Sequence, residues 1–101
     1  MADDPKGPRL DFNAFVLSLG SSALIHLGEA PDPVSGKTQD PDLPLAQQSI
    51  DLLALLQEKT RGNLSDEEAR FLDALLYDLR VRYVTAASRP RKETAPEQRK
   101  Q

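Results

Sequence analysis

The sequence predicts an all-α fold: three helices, the last two forming an antiparallel hairpin. Apolar residues recur at helical spacing in three segments, about residues 12–28, 44–61 and 66–87. The stretch Gly62-Asn63-Leu64-Ser65-Asp66-Glu67-Glu68-Ala69 stops one helix and starts another within a few residues. An acidic, proline-bearing connector over 29–43 sets the first helix apart from that pair. Such a bundle either closes as a monomer or is completed by dimerisation or by a partner.

Residues 1–10 hold Pro5, Gly7 and Pro8 among charges and read as a disordered arm. Asp11 is placed to cap the first helix, on which Phe12, Phe15, Val16, Leu19, Ala23 and Leu27 form one stripe. Leu17, Leu24 and Ile25 widen that stripe until little polar face remains. A helix apolar nearly all round belongs at the centre of a bundle or between subunits. Gly20, Ser21, Ser22 and Ala23 cluster within it, lowering helix propensity but admitting another backbone, and read as a packing contact.

Pro31, Pro33, Pro41 and Pro44 with Gly36 predict an extended, exposed connector. Its Asp32, Asp40 and Asp42 lack the spacing and terminal Glu of a calcium loop. The second helix starts with Asp42 as cap or with Pro44 in its first turn, and Leu45, Ala46, Ile50, Leu52, Leu53, Leu55 and Leu56 give it a broad apolar surface. Gln47, Gln48, Asp51, Glu58 and Lys59 are left for solvent.

Gly62 suits the left-handed residue that closes this helix, with Lys59 and Arg61 at its negative dipole end. Ser65 and Glu68 have capping-box spacing, Leu64 can staple the approach angle, and Asp66 and Glu67 favour the next helix start. So short a connection implies antiparallel helices. On the third helix Ala69, Leu72, Leu75, Leu76, Leu79, Tyr83 and Val84 form the stripe, Asp66–Arg70 and Asp78–Arg82 stand at i,i+4, and Pro90 ends it. Residues 89–101 read as a disordered basic tail, with residues 11–88 as the helical domain.

Composition limits the chemistry. At 101 residues the chain is one domain with a modest core. Cys 0 removes disulfides and thiolate sites, and His 1 removes any site needing two imidazoles from one chain. The net charge of −3 divides into −6 over residues 1–84 and +3 over 85–101, so the body is acidic and does not suit nucleic acid. Asp3, Asp4 and Asp11 ahead of the apolar stretch and Pro31 behind it disfavour a signal peptide, while Asn13, Ser18 and His26 interrupt any membrane span. A cytoplasmic protein is expected, with neither membrane nor nucleic acid as partner.

No nucleotide loop and no nucleophile elbow occurs, and Ser18, Ser21 and Ser22 have only His26, one helical turn from Ser22, as a base and no orienting acid, so no enzyme and no cofactor is expected. The alternative is a dimeric metal-binding or enzymatic helical protein in which His26 and Glu29, at i,i+3, are repeated by symmetry.

DFNAFVLSLGSSALIHLGE, the acidic connector and AQQSIDLLALLQEKTRGNLSDEEARFLDALLYDLRVRYV, over about residues 11–84, resemble the small bacterial domain catalogued as domain of unknown function 1844. The paired SLxxxAxxHLG and IDLLxxLxEKTxGNL segments carry the likeness. It implies an all-helical domain without assigned catalytic residues. Within the family the resemblance is to a myxobacterial polarity protein. That implies a cytoplasmic component that works with a response-regulator-type protein and promotes nucleotide exchange on a small Ras-like GTPase at a cell pole. The expected function is therefore a protein-interaction module in cell polarity and motility. Its candidate contacts are Lys59, Thr60, Arg61 and Asn63 at the turn, and Leu17, Leu24 and Ile25 on the back of the first helix.

Overall fold

The computed structural model describes residues 11–89; the N-terminal arm and the basic tail beyond Arg89 lie outside the described residues. The chain forms α1 (Phe12–His26), α2 (Leu43–Lys59) and α3 (Asp66–Ser88), with no strand among the described residues, as the periodicity requires.

Asp11 opens α1 from an extended backbone, its Oδ1 accepting from the Ala14 N–H at 2.7 Å. The helix ends at His26, two residues short of the expected end, because Gly28 turns left-handed at φ +79°. There the Gly28 N–H donates to the Ile25 carbonyl at 3.0 Å and the Glu29 N–H to the Leu24 carbonyl at 2.9 Å, the bond pair of a Schellman cap.

The connector is not the extended strap that its prolines suggest. Asp32 Oδ1 accepts from the Val34 N–H at 2.7 Å, and the Asp32 carbonyl accepts from the Gly36 N–H at 2.7 Å, where Gly36 lies at φ +74°. Proline removes backbone donors, but an aspartate side chain supplies the acceptor that a local turn needs. An Asp42 N–H bond to the His26 carbonyl at 2.6 Å then fastens the start of α2 to the end of α1. Asp42 is the cap of α2, accepting from the Leu45 N–H at 3.1 Å, and Pro44 falls in the first turn.

Leu27, just past α1, packs with Leu43 and Ala46 at the start of α2 and with Tyr83 and Ala86 late in α3. Gly20 at mid-α1 faces Leu75 at mid-α3. These contacts fix an up-down-up arrangement, with α1 and α3 parallel and α2 running against both. Val16, Ala23, Ile50, Leu53, Leu72, Leu76 and Leu79 form the shared core. Each large aliphatic among them stabilises the fold by about 1.5–3 kcal/mol. Gly20 and Ala23 are buried and Ser21 is exposed, so the small-residue cluster is a helix contact on one side only. A Cβ on Gly20 would stand 2.9 Å from Leu75 Cδ2.

α3 opens with the complete capping box: Ser65 Oγ accepts from the Glu68 N–H at 3.1 Å and Glu68 Oε1 from the Ser65 N–H at 2.9 Å. It ends when Arg89 turns extended at ψ 147°, as a residue before proline must.

Two stability outcomes follow from this packing. Leu53 is 0% exposed and its neighbour Leu52 is 47% exposed. Urea unfolding should show Leu53→Ala losing about 2–5 kcal/mol and Leu52→Ala under about 1 kcal/mol. Gly28→Ala should lose more stability than Gly62→Ala, measured the same way. Both glycines have positive φ, but a Cβ at Gly28 would stand 2.6 Å from the Gln39 carbonyl oxygen while one at Gly62 meets nothing within 4 Å.

Candidate functional site

The α2–α3 turn is built from local bonds. Thr60 caps α2, its hydroxyl donating to the Leu56 carbonyl at 2.7 Å, and the Asn63 N–H donates to the Thr60 carbonyl at 2.9 Å while Gly62 sits at φ +88°. Thr60 is thus half-buried and occupied with the turn, whereas Lys59, Arg61 and Asn63 are exposed. Beside them a recess of about 350 Å³ is lined by Gln57, Arg61, Gly62, Leu64, Ala69 and Asp73. Gln57 Nε2 donates to Asp73 Oδ1 across it at 3.4 Å, tying α2 to α3. One guanidinium, one carboxylate and one amide at an open rim suit contact with a polar loop of another protein.

The three candidates on α1 divide. Leu17 is 54% exposed, and Ile25 is half-buried. Leu24 packs against the core instead of lying behind the helix, because its flank of α1 turns toward α3. The structure therefore leaves Leu17 as the large apolar group of that set that is free for a partner.

Several exposed apolar side chains lie outside the sequence-predicted contacts, and Val84, which its spacing places on the core stripe of the third helix, is among them at 61% exposed. Leu45, Leu52 and Leu55 stand out from α2, and Tyr77, Val81 and Val84 from α3. The α3 group had a signal in its i, i+4, i+7 spacing, a second stripe beside the core stripe. On α2 the excess breadth of the apolar face was visible, but not which edge of it faces solvent.

Glu29 lies just past α1 and meets α3. Its Oε1 accepts from Arg82 Nη1 at 2.5 Å, and its Oε2 lies 3.8 Å from Arg89 Nη2. Arg82 Nε also donates to Asp78 Oδ2 at 2.7 Å, so the predicted Asp78–Arg82 pair forms. The hydrogen bond to Asp78, and after it the one to Glu29, raises the Arg82 pKa above its usual value, so the guanidinium stays charged. Exposed pairs of this kind add little stability and weaken with salt. Both Glu29 oxygens are thus directed at arginines, and His26 Nδ1 is buried without a hydrogen-bond partner. Asp32 and Asp42 spend Oδ1 on turn and cap N–H groups. Among the described residues no three His, Cys, Asp or Glu side chains gather as a metal-holding group. No helix among them is long and apolar enough to cross a membrane.

Compared with known proteins, residues 9–85 match the family described as Domain of unknown function (DUF1844). The chain belongs to that family. No curated protein and no solved structure matches it. The DUF1844 match runs from before the Asp11 cap into the last turns of α3, so it takes in the α2–α3 turn and the exposed apolar side chains of all three helices.

Because the Ser65 cap bond is local, Ser65→Ala should lower stability by about 1 kcal/mol in urea unfolding. Far-UV circular dichroism should show the helix content of the folded protein unchanged.

Proposed function

We propose that this chain is a non-enzymatic protein-interaction module that acts with a response-regulator-type partner to stimulate guanine-nucleotide exchange on a small Ras-like GTPase in bacterial cell polarity and motility. It works in the cytoplasm and without a cofactor. The observation that supports the interaction reading is the large apolar side chains left facing outward on every helix, Leu17, Leu55 and Tyr77 among them, although the three helices already share a core. The exchange reading draws on likeness, since within the family the sequence resembles the myxobacterial polarity protein RomX.

Exchange stimulation asks for binding, not bond chemistry. A module that binds the nucleotide-free or open switch state tenfold more tightly than the loaded state shifts that equilibrium by about 1.4 kcal/mol. A turn held by local hydrogen bonds suits such discrimination, because little ordering entropy is lost on contact. Lys59, Arg61 and Asn63 project from that turn, and Leu17 projects from α1.

Release of a labelled guanine nucleotide from the GTPase should accelerate when this protein and the response-regulator-type partner are added together. Arg61→Glu or Leu17→Glu should return the rate toward its intrinsic value. Unchanged release, with no capture of either protein in a pull-down, would contradict the proposal.

A further inference from the structure

We propose that the groove between α2 and α3 receives an amphipathic helix of a partner protein, one with Lys or Arg along one edge and Asp or Glu along the other. This deepens the interaction reading above, on which it rests, by naming the kind of segment bound.

The groove follows from how the two helices meet. Gln57 Nε2 donates to Asp73 Oδ1 at 3.4 Å, which sets these residues level, and the recess of about 350 Å³ opens beside them. Because the helices are antiparallel, one turn back along α2 and one turn on along α3 bring Ala54 level with Tyr77. Ala54 is too small to cover that ring: Tyr77 is 72% exposed, and Val84, two turns on, 61%. Ala69, Asp73, Tyr77 and Val84 fall in one strip of α3 about 80° wide on the side facing α2. The strip runs from the recess for roughly 22 Å, enough for about four turns of a docked helix.

Charge selects the occupant. On the α2 side stand Asp51 and Glu58, seven residues apart and so at one heptad position; on the α3 side stand Arg70 and Arg80, and Asp73 between them is bonded to Gln57. A segment carrying one sign of charge is repelled by one side. A helix with oppositely charged edges satisfies both, as complementary edges do in paired helices. Between the charges its apolar stripe meets Tyr77 and Val84, and tyrosine is a residue type on which binding energy concentrates.

Backbone accounting favours a helix over an extended segment. α2 and α3 spend their backbone groups within themselves, so an extended chain finds no ladder to join, whereas a helix arrives with its own groups paired. A second copy is a poor occupant. It presents another groove in place of a filling ridge, and residues 11–89 carry twelve Asp and Glu against seven Lys and Arg, a net −5 that sets copies against each other.

Fluorescence anisotropy of a labelled synthetic helix, titrated with the full chain, tests this. The probe has about 18 residues, with Leu at helical spacing on one face, Lys along one edge and Glu along the other. It should bind with a dissociation constant on the order of 10 μM, weakened about tenfold by Tyr77→Glu and about tenfold by Asp51→Lys combined with Glu58→Lys. A second probe with Glu on both edges should bind that double variant more tightly than it binds the natural protein. Leu55→Lys, on the other flank of α2, should leave binding unchanged, with circular dichroism confirming that every variant folds. Absence of binding, or binding indifferent to Tyr77→Glu, overturns the proposal. So does a mass that rises with concentration in sedimentation equilibrium of the protein alone and returns to the monomer value on Tyr77→Glu, which gives the groove to a second copy. No GTPase is present in the titration, so a groove that takes no helix leaves the exchange reading standing, and absent exchange leaves a bound helix standing.

Discussion

The close approach of α1 to its neighbours governs this fold. At mid-helix Gly20 admits the Leu75 side chain, and just past the helix Gly28 admits the Gln39 carbonyl, each into space that a Cβ would take. The first approach lets α1 nest against α3 as well as α2, and the second folds the connector back so that Asp42 can bond to His26 and start α2 in the opposite direction. Bundles usually separate helices by 8–10 Å through interleaved side chains, and a glycine at the crossing shortens that distance locally. With α1 drawn in, Val16 and Ala23 reach the same core as Leu53, Leu72 and Leu76.

Drawing α1 in does not exhaust its apolar surface. A helix in a three-helix bundle hides one stripe against two neighbours, and α1 has no charged side chain on any flank. Adjacent positions on α2 show the consequence: Leu53 is fully buried and Leu52 stands half in water. The first serves stability. The second belongs to neither core cluster among the described residues and leaves about half of its surface open to another polypeptide.

Short-range features were the most legible in the sequence. The Ser65–Glu68 box, the Asp11 cap and the left-handed Gly62 each depend on residues within one turn, and each appears where spacing put it. Gly28 carried the same kind of signal as Gly62 but was masked, because Leu27 continues the apolar stripe beyond the true helix end. The connector turn was missed because four prolines drew attention from Asp32, whose side chain closes it. Which apolar residues face outward was the least legible feature of the surface. That depends on the order of helices around the core, which no single helix encodes, and it is why Leu24 proved a packing residue while Leu52 and Leu55 did not.

If one core unites all three helices, they should open together. Native-state amide hydrogen exchange measures this directly. One shared core predicts that the slowest amides of α1, α2 and α3, around Val16, Leu53 and Leu76, have a common opening free energy equal to that of global unfolding. An α1 that exchanges far more easily than a persistently protected α2–α3 hairpin would contradict it.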